Sequence, residues 1–162
     1  IKEGDVLFMD TSTTVLEILT YMPAFRVKII TNSVPVMETV YRDKNIDLYM
    51  APGLYRSLGG PLDYATAEYL SRFHYNKAFF GSNSYDPVFG ASAAEEIEAA
   101  VKKCVLGNSD ENYLLVDHSK MGKRSFVKYA DTVDYTGILS DEELDIDWRT
   151  KIIQNGGSLI LC

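Results

Sequence analysis

Short apolar runs alternate along the chain with stretches in which apolar residues recur at helical spacing. The runs predict strands at residues 6–9, 27–30, 47–50, 77–80, 113–116, 135–139 and 158–161, with an irregular edge strand within 126–134. The intervening periodicity predicts helices over residues 15–21, 34–42, 61–73, 93–104 and 145–154. Strands that alternate with helices form βαβ units, so the pattern predicts an α/β domain with a mainly parallel sheet.

Most of the predicted strands end in small polar residues. Right-handed crossovers bring the carboxyl ends of parallel strands to one edge of the sheet, where ligands bind in such folds. Five polar loops are expected at that edge, namely residues 10–14, 31–33, 53–60, 81–84 and 117–120.

The composition is that of a single globular domain, with 162 residues of which 46% are hydrophobic and 24% charged. Sixteen basic and 23 acidic residues give a formal charge of −7. This balance argues against a chain that itself grips a nucleic-acid backbone, which requires clustered Lys and Arg. A small anionic ligand remains compatible, because it needs only one locally positive pocket.

The cysteine content favours a reduced, cytoplasmic setting, since Cys104 and Cys162 are the only two. His74 and His118 are the only histidines, and with those cysteines they show no metal-ligand spacing, so no metal site is expected. No apolar run approaches the roughly 20 residues of a membrane helix. The start at Ile1 reads as the middle of a longer polypeptide.

Three loops carry candidate ligand chemistry. The hydroxyl-rich segment 10–14 between a strand and a helix suits a phosphate, although plain helix capping explains it equally well. Lys120 offers a point charge at the same edge, or is an ordinary solvated lysine. Arg56 in the third loop pairs with an anion, or is a surface arginine.

Other polar residues have plainer interpretations. Asp117 either holds Lys120, binds a sugar hydroxyl or caps its turn. The acidic run over residues 95–98 is typical of a solvated helix face. The chain contains no P-loop, no GxGxxG motif and no GxSxG elbow, so nothing indicates nucleotide binding by those routes or an α/β-hydrolase nucleophile.

Taken in order, the loops resemble the C-terminal effector domain of DeoR-family bacterial transcriptional regulators. Asp10-Thr11-Ser12-Thr13-Thr14 is similar to the family's Asp-x-Gly-Thr-Thr, and Asp117-His118-Ser119-Lys120 to its Asp-x-Ser-Lys. The resemblance also covers residues 4–5, 30–33, 59–62, 79–81, 89–92 and 134–144. No single motif is specific, but their order and spacing extend over almost the whole chain.

The resemblance implies a fold and a role. The fold would be a Rossmann-like, mainly parallel sheet with helices on both faces, similar to ribose-5-phosphate isomerase and the CoA-transferases. Residues 1–162 would be the sensor domain of a repressor of carbohydrate uptake or catabolism genes. A winged helix-turn-helix domain, absent from this sequence, would precede Ile1 and alone contact operator DNA. Family members are commonly dimers or tetramers, so a homo-oligomer is expected.

Two departures from the family pattern bear on chemistry. Ser12 stands where the family has Gly, so either its hydroxyl adds a phosphate contact or the loop is rearranged. In the fourth loop the isomerase, as the resemblance has it, carries an acidic pair, whereas this chain has Ser82-Asn83-Ser84. Hydroxyls and an amide do not shuttle protons near neutral pH, so the resemblance implies a sensor and not an enzyme.

The effector implied is a phosphorylated sugar, with no cofactor and no catalytic residue. The residues expected at its phosphate are Ser12, Thr13, Thr14 and Lys120, and those expected at its hydroxyls are Asp10, Asn32, Arg56, Asn83 and Asp117. The alternatives are an isomerase or CoA-transferase-like enzyme, with Glu98 or Asp10 as the remaining acid/base candidates, and a purely oligomerising module.

Overall fold

The computed structural model describes residues 1–56 and 59–162, except for the side chain of Arg56. Its strands are β1 (Val6–Met9), β2 (Val27–Thr31), β3 (Ile46–Met50), β4 (Tyr55–Arg56), β5 (Gly60–Pro61), β6 (Tyr75–Gly81), β7 (Ser84–Asp86), β8 (Gly90–Ala93), β9 (Ser109–Leu115), β10 (Val127–Ala130), β11 (Gly137–Ser140) and β12 (Leu159–Leu161). Its helices are α1 (Thr13–Leu16), α2 (Val34–Val40), α3 (Tyr64–Leu70), α4 (Glu96–Leu106) and α5 (Ile146–Gln154), with 3-10 turns at Glu17–Tyr21, His118–Lys120 and Thr132–Asp134.

The central sheet has seven strands in the order β12-β11-β9-β6-β1-β2-β3. All of its neighbouring strands are parallel, which confirms the predicted α/β class. The chain runs outward from β1 to β3 and then returns to the other side of β1 to form β6. The strand order therefore reverses between β1 and β6, and this is the place where doubly wound sheets open a crevice for ligands.

Helices cover both faces of this sheet. On one face Leu7 and Met9 of β1 pack with Val15 of α1 and Val36 of α2. On the opposite face Phe8, the residue between them, belongs to the core cluster that includes α3 and α4. Alternate residues of a strand point to opposite faces, so burial on both sides explains why β1 reads as one continuous apolar run.

A second, antiparallel sheet of order β10-β8-β7 was not predicted from the sequence. The sequence predicts no strand between residues 80 and 113, and it predicts an irregular edge strand within residues 126–134, where β10 lies. All four residues of β8 are buried although they are small. A Cβ placed on Gly90 would lie 2.1 Å from the carbonyl oxygen of Ala130, so the two strands approach each other closely. Because this packing uses small residues, the sequence lacks the large apolar side chains that usually indicate a strand.

All five predicted helices differ in bounds from the observed ones, and three of them differ by three residues or more at one end. The one at 15–21 is a single α-turn that continues as a 3-10 turn. The one at 61–73 begins at Tyr64, where Asp63 caps it, because Gly60–Pro61 pairs with Tyr55–Arg56 as a short hairpin. The helix predicted from Ala93 begins at Glu96, since Ala93 ends β8.

Candidate functional site

A cavity of about 300 Å³ lies at the carboxyl ends of β1 and β6. Loops after β1, β2, β6 and β9 line it, together with one face of α4. Its polar lining residues are Asp10, Thr11, Ser12, Thr13, Thr14, Asn32, Ser82, Asn83, Glu98, Lys102, Asp117 and Lys120. The topology thus brings side chains from distant parts of the sequence together at the reversal of strand order.

Eight of the nine residues predicted to contact a ligand line this cavity; they are Asp10, Ser12, Thr13, Thr14, Asn32, Asn83, Asp117 and Lys120. The ninth, Arg56, belongs to a hairpin whose partner strand includes Gly60, another lining residue. The prediction for the Arg56 side chain lies outside the described residues.

The first loop accepts Ser12 without strain. Its backbone has φ −70° and ψ 138°, which is ordinary extended geometry, so no glycine is required there. The Ser12 hydroxyl oxygen accepts a hydrogen bond from the Thr14 backbone N–H at 3.2 Å and caps α1. Gly81 makes room for it, because a Cβ on Gly81 would lie 2.2 Å from the Ser12 side chain. The capping interpretation of this loop is therefore correct, and the Ser12 hydroxyl proton remains available to a ligand.

Asp10 organises the two loops that face each other across the strand-order reversal. Its Oδ1 accepts a hydrogen bond from the Ser12 N–H at 2.8 Å, and its Oδ2 accepts one from the Gly81 N–H at 2.9 Å. The same Oδ2 lies 3.0 Å from the Lys102 ammonium. The Asp10 side chain is only 4% exposed, so these internal bonds occupy most of its acceptor capacity.

Lys102 is the residue that sequence reasoning missed. Its ammonium donates to the Gly81 carbonyl at 2.6 Å and to Asp10, and it lies 3.5 Å from the Glu98 carboxylate. Burial alone would lower the pKa of Lys102, but the negative charges of Asp10 and Glu98 help to hold that pKa above its usual range. Lys102 is therefore a fixed cation, and its three N–H groups already face three acceptors within the protein.

A sequence signal for this burial does exist. Lys102 lies three residues after Ala99 and three before Val105, which places it on the apolar stripe of α4. Glu98 precedes it by one helical turn, the spacing of an ion pair. The interpretation of residues 95–98 as a solvated face is wrong for Glu98, whose side chain lines the cavity and is 24% exposed.

Asn32 places an unsatisfied acceptor at the cavity. Its Nδ2 donates to the Pro61 carbonyl at 3.1 Å, which fixes the orientation of the amide. Its Oδ1 is buried and has no hydrogen-bond partner within residues 1–56 and 59–162. Such an orphan acceptor costs about 1–3 kcal/mol of stability.

Asp117 and Lys120 do not pair with each other, although the sequence left that pairing open. Asp117 caps the 3-10 turn, since its Oδ1 accepts the Ser119 N–H at 2.8 Å and also the Ser119 hydroxyl. The Lys120 ammonium has no carboxylate partner among the residues that the structure describes. Lys120 therefore contributes a positive charge to the cavity that no carboxylate of residues 1–56 and 59–162 neutralises.

One group of side chains near the cavity has the right atoms for a metal ion. Ligand atoms of Asp117, His118 and Asp141 lie within 4.8 Å of one another. The His118 ring nitrogen Nδ1 is 3.0 Å from Asp141, and the His118 backbone N–H donates to the other oxygen of the same carboxylate. These bonds give the group a structural role in fixing the turn, so the expectation of no metal site stays a prediction.

Residues 1–142 match the family described as the DeoR C terminal sensor domain. The chain belongs to this family. The HTH-type transcriptional regulator IolR of Bacillus subtilis is 33% identical over 153 residues, covering 91% of this chain and 60% of that protein. The lactose phosphotransferase system repressor of Staphylococcus epidermidis is 29% identical over 155 residues, covering 94% of this chain and 61% of that protein.

The sensor domain thus spans about 60% of the length of the curated relatives it matches.

Among solved structures, eIF2B delta from Chaetomium thermophilum superposes with a TM-score of 0.51 at 16% identity, covering 85% of this chain and 51% of that chain. Ribose 5-phosphate isomerase A from Neisseria gonorrhoeae gives a TM-score of 0.48 at 14% identity, covering 76% and 48%. At these identities the likeness concerns the fold alone.

None of the helices within residues 1–56 and 59–162 has the length and apolarity that a membrane crossing requires.

Proposed function

We propose that the cavity binds a phosphorylated sugar, and that its occupancy changes DNA binding by a winged helix-turn-helix domain at the N-terminal side of Ile1. The observation that carries this proposal is Lys120, a cavity-lining cation without a carboxylate partner in the described part of the chain, on the same cavity as the hydroxyls of the first loop. The protein would act as a repressor of carbohydrate uptake or catabolism genes, in the cytoplasm where operator DNA lies.

The first loop and Lys120 would hold the phosphate. The hydroxyls of Thr13 and Thr14 line the cavity and make no hydrogen bond within the described residues. The Ser12 hydroxyl can donate its proton while its oxygen caps α1. Three hydroxyl donors and one ammonium provide charge-assisted hydrogen bonds of the kind that bind phosphate oxygens.

The remaining lining residues suit sugar hydroxyls. Asn32 offers a buried acceptor, Asn83 an exposed amide and Asp117 its second carboxylate oxygen. Asp10 is placed among them but is mostly occupied by its internal bonds. A volume near 300 Å³ is at the small end of ligand sites, which fits a single monosaccharide phosphate.

The names of relatives agree with this role. A repressor of a lactose phosphotransferase system controls a carbohydrate transport system, and the relative GlcR of Bacillus subtilis is named an HTH-type transcriptional repressor. We extend that class to this chain, together with a homo-oligomeric assembly of two or four copies as expected from the family resemblance.

The site favours binding over turnover. The fourth loop presents Ser82 and Asn83 in place of a carboxylate pair, and Ser82 donates to the Ser84 carbonyl at 2.9 Å. Lys102 is held protonated and cannot act as a base. Glu98 keeps an isomerase activity as the second candidate, because its carboxylate does line the cavity. Interconversion of an aldose phosphate and its ketose phosphate by the purified domain would support that candidate.

The test is thermal unfolding of the domain against sugar phosphates, each beside its unphosphorylated sugar and beside inorganic phosphate. A ligand that binds only the folded state adds about 2.7 kcal/mol of stability at a hundredfold excess over Kd. We expect one phosphorylated sugar to raise the unfolding temperature when its parent sugar does not. Equal shifts with parent and phosphorylated sugars would contradict the proposed phosphate contacts.

A further inference from the structure

The cavity has one charged group that the phosphate contacts leave unused, the carboxylate of Glu98. Its only ion-pair contact within the described residues is Lys102, at 3.5 Å, which is long for a hydrogen bond. The side chain is partly exposed and lines the cavity. Glu98 therefore presents negative charge and free lone pairs to whatever occupies the space beside α4.

Lys102 offsets only part of the carboxylate charge beside it, and it has no unused donor for a ligand. Its three N–H groups face Asp10, the Gly81 carbonyl and Glu98, and its side chain is only 8% exposed. The cluster of Asp10, Glu98 and Lys102 contains two carboxylates and one ammonium, so it carries a net charge of about −1. A second anionic group of a ligand would find repulsion there and no unused donor.

The lining of the cavity holds both kinds of hydrogen-bonding group. Ser12, Thr13 and Lys120 offer hydroxyl and ammonium donors, whereas the Glu98 carboxylate offers acceptors from a different element, α4. The cavity therefore has donors that suit an anion and, on α4, a carboxylate that suits hydroxyl protons.

We infer that Glu98 is a specificity-determining residue that selects a ligand with one phosphate and an otherwise neutral, hydroxyl-bearing body, and that it excludes sugar-acid phosphates and bisphosphates. This inference rests on the proposed phosphate site and deepens it. A hydroxyl group donates to the Glu98 carboxylate, but a ligand carboxylate has no proton to donate and meets a like charge. Two unit charges about 4 Å apart repel strongly at the effective dielectric of a protein site, enough for well over tenfold discrimination.

The experiment compares ligands that differ only in that second charge. Glucitol 6-phosphate and gluconate 6-phosphate share a carbon skeleton and a phosphate, but the second has a carboxylate where the first has a hydroxyl. Ribitol 5-phosphate and ribonate 5-phosphate form the five-carbon pair. Isothermal titration of the wild-type domain should show the alditol phosphate of at least one pair binding at least about tenfold more tightly than its aldonate partner.

The variant Glu98→Gln removes the charge and keeps the shape of the side chain. It should reduce the ratio of the aldonate Kd to the alditol Kd to about threefold or less, mainly through tighter binding of the aldonate phosphate. Glu96→Gln is the matched control, because Glu96 lies on the same helix and does not line the cavity. It should leave the ratio unchanged. The wild-type ratio tests the inference even if the Glu98 variant does not fold.

The outcomes separate the two proposals. If the alditol phosphates bind the wild-type domain and the aldonate phosphates bind as tightly as their partners in both pairs, the role of Glu98 is overturned and the phosphate site stands. A ratio unchanged by Glu98→Gln in a folded variant would lead to the same conclusion. If none of the four phosphates binds although a sugar phosphate stabilises the wild-type domain, the inference is overturned and the phosphate site stands. If no sugar phosphate binds either, the inference is overturned together with the proposed function.

Discussion

Replacement of Lys102 by Met tests the buried charge pair that joins the loops of the site. The substitution keeps the length and apolar stem of the side chain but removes the ammonium. Asp10 then keeps only its two backbone N–H donors, from Ser12 and Gly81, while its carboxylate stays 4% exposed. The Gly81 carbonyl also loses its 2.6 Å donor.

The expected cost follows from this geometry. Removing one partner of a buried ion pair destabilises proteins by about 3–5 kcal/mol, because the other charge remains buried and unpaired. The two N–H bonds that Asp10 retains place this variant at the lower end, at about 3 kcal/mol. For a domain of this size that corresponds to a decrease of about 6–12 °C in the unfolding temperature.

Urea unfolding at pH 7 measures the loss, with Lys103→Met as the control because Lys103 is the exposed neighbour on the same helix. The control should change stability by less than about 1 kcal/mol. A Lys102 variant as stable as the control would refute the pairing with Asp10.

Three further substitutions probe other parts of the account. Gly81→Ala should weaken sugar-phosphate binding and lower the unfolding temperature, because its Cβ would lie 2.2 Å from the Ser12 side chain; unchanged calorimetric affinity would contradict the described loop contact. Asp86→Asn should cost about 1–2 kcal/mol at pH 7 in urea unfolding. Burial raises the pKa of Asp86. Hydrogen bonds from backbone N–H groups and from the Arg124 guanidinium lower the pKa by more than burial raises it, so the pKa lies below its usual value of 3.8. The deficit should therefore disappear as the pH falls below that value, and a pH-independent deficit would argue against the ion pair. Ser33→Ala removes the cap of α2 and should cost about 1 kcal/mol in the same assay, so a neutral result would argue against that cap.

The sequence predicted the parallel sheet well because its signal is local. Fully buried strands such as β1 read as unbroken apolar runs, and the polar residues that end them mark the ligand edge. Residues in those loops, such as Thr13 and Lys120, could therefore be assigned to one ligand edge from their positions in the sequence, and both line the cavity.

The elements that escaped prediction depend on contacts between distant residues. Small side chains in β8 carry little local signal, and only their pairing with β10 shows that they form a strand. Lys102 was not predicted at the site because its partner Asp10 lies 92 residues away in sequence. The sequence does place Lys102 on the apolar stripe of α4, but a lysine within a helix rich in Ala, Glu and Lys does not by itself indicate burial.

In the proposed complex, Lys120 and the first loop hold the phosphate of a sugar ligand. The most direct measurement is calorimetric titration of the Lys120→Ala variant with the sugar phosphate that stabilises the wild-type domain, beside Lys123→Ala, an exposed lysine of the same segment that does not line the cavity. We predict a loss of about 1–3 kcal/mol in binding free energy for Lys120→Ala, the range for a charged hydrogen bond, and none for Lys123→Ala. Equal affinities of the Lys120 variant and the wild-type domain would contradict the account.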